Sequence, residues 1–249
     1  MAGDDVGSGS RRRLLDATSS ALRDSMLATL KATYAMSDMT VANVDSILST
    51  LEGIVNAPND LSPPTAVDSL AFATQLLSAT VDAEIGISDT SASYTGSLLS
   101  YLLRSALFNN SEATAATAVQ AENVTTALRY LAEAQLEGAY AGIGYDMSSS
   151  GIHTSIHREE AQYLGYGTSA VYGVVGSTAK IAYPSNFSAL AKLKLEGVSN
   201  GDYVDTRFAT LDVDLYTSFK SYGNQIVTKM YGDSKYNSDL NSDVTQIEL

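Results

Sequence analysis

The sequence predicts an α+β protein whose helices come first and whose strands come second. Three observations predict it. Apolar residues recur at three- and four-residue spacing as far as Glu137, and at two-residue spacing beyond Gly144. Between the two regimes lies a Tyr/Gly-rich stretch, Gly138 to Ser185, that includes Tyr140, Gly142, Gly144, Tyr145 and Gly151. Turn clusters punctuate both halves at intervals that suit short connections. The expected layout is a tail over residues 1–13, a helical bundle subdomain over 14–138 and a β-rich, antiparallel sandwich-like subdomain over 139–249.

In chain order, Met1–Ser10 is a Gly/Asp/Ser tail, expected to be disordered, and Arg11–Arg13 reads as a solvated basic start. The first helix is expected over Leu14–Met36, with Leu15, Leu22, Met26, Leu30 and Tyr34 on its buried stripe. Thr40 is placed to cap a second helix, Val41–Val55, whose inward face would carry Val41, Val44, Ile47, Leu48, Leu51 and Val55. Ala57-Pro58-Asn59-Asp60 is a turn. Ser62 followed by Pro63 reads as an N-cap and a first-turn proline, opening a third helix that runs to about Ala83. Its inward residues are expected to be Val67, Leu70, Ala71, Leu77 and Val81. A fourth helix, Ser91–Phe108, carries Leu98, Leu99, Leu102, Leu103 and Leu107. A fifth, Thr114–Glu137, carries Val119, Val124, Leu128, Leu131 and Leu136 and stops at Gly138.

The strand signals follow. Ile152, Thr154 and Ile156 alternate with His153, Ser155 and His157. Ala179, Ile181 and Tyr183 form a second alternating run, Leu211, Val213 and Leu215 a third, and Ser242–Leu249 a last strand. Such alternation predicts one buried and one wet face.

Composition bounds the function. The chain has 249 residues, 45% apolar and 17% charged, with a net charge of −13 and a pI near 4.4. A core is within reach, and a phosphate backbone is a poor partner for so acidic a surface. With no cysteine there is no disulfide and no thiolate chemistry. No apolar run approaches a membrane span, and Met1–Ser10 lacks the apolar core of a signal peptide. If the protein is extracellular, that address lies outside these residues.

Candidate chemistry is sparse. His153 and His157, with Glu159 or Glu160, are metal-capable residue types, but a third ligand is unplaced and exposed strand histidines are the simpler reading. Asn237, Asp239, Asn241 and Glu248 partly follow a calcium-loop spacing, with Asn237 and Ser242 departing from it; a turn leading into a strand explains the same letters. Phosphate-loop and serine-elbow motifs do not occur. Asp212 and Asp214 read as a solvated strand face. No catalytic residue, cofactor or metal ligand is assigned. Asn109, Asn123 and Asn186 head three candidate N-glycosylation sequons.

Two blocks of sequence carry a resemblance. Leu22-Arg-Asp-Ser-Met-Leu-Ala-Thr-Leu30, Thr40-Val-Ala-Asn-Val44 and the run from Leu51 to Pro63, with its Pro58-Asn-Asp-Leu-Ser-Pro63 turn, resemble the helical region of REJ (receptor for egg jelly) modules in polycystin-like proteins. Gly151–Arg158, Ala179–Phe187, Leu211–Phe219, Tyr222–Asn224 and Ser242–Leu249 resemble strands of the β-subdomain of a GAIN domain. The resemblance spans most of Leu14–Leu249. It implies a non-enzymatic, extracellular structural and interaction module of a membrane protein, serving adhesion, sensing or support of a channel or receptor region. Its partners would be other extracellular proteins or the membrane part of the same polypeptide. The GAIN cleavage segment, a cysteine-bearing His-Leu-Thr/Ser run, does not occur here, so no autoproteolysis is expected and the last strands would be lacking. The alternative is a soluble ligand- or metal-binding protein using the Tyr/Gly-rich segment 138–176 as a pocket rim. A hydrolase is a third reading for which no nucleophile–base pair can be named.

Overall fold

The structure is a computed structural model that describes residues 7–105, 115–160, 163, 171–173, 180–182, 203–211 and 244–248. Within these residues the chain is α+β: five helices, then an antiparallel sheet. The helices are α1 (Gly7–Tyr34), α2 (Val41–Val55), α3 (Pro63–Asp82), α4 (Asp89–Arg104) and α5 (Ala115–Leu136), with one 3₁₀ turn at Pro58–Asp60. The strands are β1 (Ile143–Ser149), β2 (Ile152–Glu160), β3 (Val171–Gly173), β4 (Lys180–Ala182), β5 (Tyr203–Leu211) and β6 (Val244–Glu248). The larger sheet has the order β1-β2-β5-β6, and β3 and β4 form a separate ladder.

The helix starts follow local chemistry. Thr40, Ser62 and Ser88 each accept a bond from the backbone N–H three residues on, at 3.2, 3.2 and 3.0 Å. Each therefore satisfies one of the donors that a helix start leaves without a partner. Pro63 follows Ser62 in the first turn, where the missing N–H costs nothing. α3 ends with Ile85 N–H bonded to Thr80 O at 3.0 Å, which puts Glu84 in the left-handed region at φ 53.

α1 differs from the expectation in two ways. It begins at Gly7, inside the stretch read as a tail. Among its described side chains Leu27 and Leu30 are buried, while Leu22 and Met26 stand exposed at 61% and 43%; the side chain of Leu15 lies outside the described residues. Tyr34 completes the inward stripe, meeting Phe72 of α3 edge-on with ring centroids 5.4 Å apart. The two stripes differ by one residue of rotation, so apolar spacing alone does not separate them. Other inward assignments also fail. Val41 and Val119 are exposed, Ala71 is exposed, and Val67 and Val81 are half-buried. In α3 the core is made instead by Ala66, Leu70, Phe72, Ala73, Leu76 and Leu77. α4 ends at Arg104, before the expected Phe108; Leu107 lies outside the described residues.

The two halves share one core. Met147, Ile152, Ala209 and Leu211 of the sheet join the same buried cluster as Leu98, Leu102 and Leu131 of the helices. α4 lies against β1, and the approach is close because position 96 is glycine: a Cβ there would sit 2.5 Å from Met147 Sδ. Ser149 Oγ reaches back to Gly96 O at 3.1 Å and meets Ser100 Oγ at 2.7 Å.

β1 and β2 form a hairpin whose two-residue loop, Ser150-Gly151, needs the positive φ of 106 at Gly151. The expected wet face is a second correction. Ile152, Thr154 and Ile156 are buried as foreseen, but on the opposite face Ser155, Thr206, Phe208 and Thr210 are buried as well. The β2–β5 ladder is thus an interior layer. Of the expected run Ala179–Tyr183, Lys180–Ala182 is β4, and Ala179 and Tyr183 lie outside the described residues. β5 ends at Leu211, where the third alternating run was expected to begin; Val213, Leu215, Asp212 and Asp214 lie outside the described residues. The expected last strand is β6, paired antiparallel to β5.

Because Glu84 holds a left-handed conformation that glycine adopts without strain, Glu84→Gly is expected to raise stability by about 0.5–1 kcal/mol. A urea unfolding series at constant m-value checks it; a loss of stability would overturn this account of the α3 terminus.

Candidate functional site

The polar groups of the molecule gather where elements meet. Three sets are built around helix ends. Arg23 of α1 donates through Nη1 to Ile54 O in the last turn of α2. Asp24, the next residue, accepts from Thr65 Oγ1 in the first turn of α3. Asp45 of α2 accepts at Oδ1 from Ser88 Oγ (2.7 Å) and from Ser91 Oγ, both at the start of α4. In each case the charge matches the helix end it meets, carboxylate at the positive N-terminus and guanidinium at the negative C-terminus. α1 and α2 each supply an aspartate to the helix two positions along the chain.

The fourth set joins helices to sheet. Arg158 of β2 forks onto Asp205 of β5, Nε to Oδ1 at 2.8 Å and Nη2 to Oδ2 at 2.9 Å. Its Nη1 donates to Leu136 O at 2.8 Å and Ala139 O at 3.1 Å, across the C-terminus of α5. Tyr203 lies over the guanidinium with its ring centroid at 5.9 Å. Both charged partners are three-quarters buried or more. The Arg158 pKa is raised, first by the hydrogen bond to Asp205, with burial opposing and the charges of Asp205 and Glu137 reinforcing it. A raised pKa on a base means that the contribution is complete below the unfolded value and is lost only in strong alkali, so the pairing holds across the whole neutral range. Arg207, one pair along, reaches Glu133 of α5 at 3.2 Å.

The histidines sit on the opposite face of β2. His153 Nδ1 is 2.9 Å from Ser148 Oγ. His157 Nε2 is 2.9 Å from Ser155 Oγ, which donates to Asp146 Oδ1 at 2.5 Å. Serine, histidine and aspartate therefore meet, but in an order unlike that of a hydrolase. A hydroxyl has one hydrogen; it goes to Asp146, so His157 Nε2 must donate to Ser155 and cannot take its proton. Ser155 is also 1% exposed. The chain Asp146–Ser155–His157 is a cross-strand hydrogen-bond relay that fixes the hairpin. His157 in turn covers Gly144, its cross-strand neighbour, where a Cβ would collide with the ring.

Metal coordination by the histidine pair fails on distance. Four residues along a strand separate them by about 13 Å, too far to share one ion. Among the described residues no three His, Asp or Glu side chains converge. Glu248, the last residue of the candidate calcium spacing, lies in β6 opposite Arg207; residues 237–243 lie outside the described residues. In the Tyr/Gly stretch, Gly138 and Gly142 supply positive φ values of 70 and 81 at turns, and Tyr145 packs on Leu136 and Ile156. A hollow of about 260 Å³ lies between α1 and the start of α3, away from this stretch, with Asp24, Lys31, Thr65 and Asp68 in its wall. Lys31 and Asp68 pair there at 3.0 Å.

Of the three sequons, Asn109 and Asn186 lie outside the described residues. Asn123 is half-buried on α5, its Nδ2 3.3 Å from Gln120 Oε1, and the Thr125 hydroxyl is buried and bonded to Glu122 O. The residues sequence reasoning missed are Asp24, Asp45, Asp205 and Glu133. The legible hint was Ser-x-x-Thr and Ser-x-x-Ser at the starts of α3 and α4, which mark hydroxyl pairs able to donate to a carboxylate. Compared with models of known protein families and with curated proteins, the chain matches none.

Two substitutions probe these sets. Arg158→Leu strands a largely buried Asp205 and removes the side-chain donor to Leu136 O and Ala139 O, and is expected to cost about 2–4 kcal/mol in denaturant unfolding; Arg158→Lys recovers only part, because an ammonium cannot fork. Gly144→Ala drives the His157 ring off Ser155. It should cost about 1–2 kcal/mol and move the His157 side-chain NMR signals. Unchanged His157 signals in the alanine variant would overturn the relay geometry.

Proposed function

We propose that the chain is a non-enzymatic structural and interaction module on the extracellular side of a polycystin/REJ-like membrane protein, built in the GAIN-like order of a helical part followed by a sheet. The observation that carries the reading is the arrangement itself: five helices, then an antiparallel sheet laid against α4 and α5, with the Pro58–Pro63 turn opening α3. The polar side chains of the sheet support a structural role, since Arg158, Asp146, Ser155 and His157 are engaged with one another or with helix ends. The resemblance supplies the membrane setting. No described helix is long and apolar enough to cross a membrane, so the span would lie elsewhere in the polypeptide.

An antibody raised against the recombinant chain tests this in the native cells. The expected result is a membrane-fraction species well above the mass of this chain, stained on intact cells without permeabilisation. A species of this chain's own mass, recovered in the soluble fraction and stained only after permeabilisation, would sink the reading.

A further inference from the structure

β1 is the outermost strand of the four-stranded sheet among the described residues. Its inner side pairs with β2 over its full length. On the other side, alternate N–H and C=O groups of an edge strand point outward and can template another strand. Among the described residues no strand pairs with this side, and Ile143, Gly144, Asp146 and Ser148 are exposed. It contains no proline and no lysine, the usual guards of such an edge, and has one charge, Asp146.

The position of that charge decides what can dock. β1 runs from Ile143 to Ser149, so Asp146 is its midpoint. Two copies joined edge to edge over the whole strand would be related by a two-fold axis, and that axis places Asp146 directly opposite its own copy. Like charges directly opposed destabilise a pair, and here they do so between two molecules of net charge −13. A cationic strand meets the reverse situation. Its central Lys or Arg would sit across from Asp146, whose Oδ1 already faces Ser155 while the side chain stays exposed. The residues on either side of that cation fall on the helix-facing side, across from Tyr145 and Met147, which pack on the core. Apolar side chains there would extend the packed face.

We infer that the β1 edge is a docking site for an extended segment of a partner protein in which apolar and basic residues alternate, bound by strand addition. The inference rests on the proposed role as an interaction module and names its surface. It does not depend on the membrane setting, because its test uses the isolated chain; either test can fail alone.

The probe is the acetylated, amidated heptapeptide Val-Lys-Val-Lys-Val-Lys-Val, with a Glu-for-Lys version as control. Its central lysine meets Asp146 when the seven-residue overlap is complete. Hydrogen exchange on the full chain should slow at least fivefold at β1 amides with the Lys peptide and not with the Glu peptide. Asp146→Lys should weaken binding at least tenfold. Asp146→Asn, which keeps an Oδ1 acceptor for Ser155 and with it the hairpin but removes the charge, should weaken binding at least threefold; this separates docking from folding. Unchanged exchange at β1, or protection confined to other elements, would refute the site. Protection that rises with protein concentration in the absence of peptide would replace the cationic partner with a second copy.

Discussion

The guanidinium of Arg158 is the constraint on which the two-part architecture depends. A helix that ends against a sheet leaves its last carbonyls without partners, and burying them costs more than most single contacts return. Arg158 adds a side-chain donor to Leu136 O at the end of α5 and to Ala139 O just beyond it, and forks onto Asp205 across the ladder. The position of β2 against α5 and the pairing of β2 with β5 are therefore coupled through one side chain. Shared burial of Met147, Ile152, Ala209 and Leu211 with the helical leucines supplies the bulk of the attraction. Burial is non-directional, though, and sets neither the tilt nor the register of the sheet. The directional bonds of Arg158, and of Arg207 to Glu133, do.

The same device recurs inside the bundle. Arg23, Asp24 and Asp45 each meet the end of a helix other than their own. Such a charge contributes about 0.3–1 kcal/mol at an exposed helix end and up to about 2 in partly buried geometry. Its greater effect here is to choose between near-equal packings. Rolling α1 by one residue would bury Leu22 and Met26, which an apolar count favours. It would also draw Arg23 off Ile54 O and Asp24 off Thr65. In the structure both bonds are made, and Leu22 and Met26 are exposed.

This is also where reading the chain alone reached its limit. Local signals were legible: Thr40 capping a helix that ends at Val55, Ser62-Pro63 opening α3, Gly138 closing α5, and the alternation of Ile152, Thr154 and Ile156. Each depends on neighbours within a few residues. What escaped depends on distant partners. β5 went unread because its helix-facing positions are Asp205, Arg207, Ala209 and Leu211. Two inward charges, acceptable only with Arg158 and Glu133 across from them, erase the apolar alternation that marks a strand. Asp24 and Asp45 looked like ordinary helix-surface acids for the same reason. Nothing within ten residues of either announces the hydroxyls it serves.

The cluster of Asp146, Ser155 and His157 shows how far residue types fall short of chemistry. The three types of a hydrolase triad are within hydrogen-bond reach, yet proton direction alone assigns them elsewhere: the carboxylate takes the hydroxyl hydrogen, and the imidazole is left as a donor. That arrangement also accounts for the burial of Ser155 in the ladder, because its hydroxyl is satisfied on both sides. Asp146 consequently has two duties. Toward β2 it anchors the relay that holds the hairpin, and toward solvent it is the lone charge at the centre of an open strand edge. A side chain fixed by an internal bond presents its charge at a set height along that edge at little further entropic cost, which is the condition for a strand edge to select its partner by register rather than by net charge.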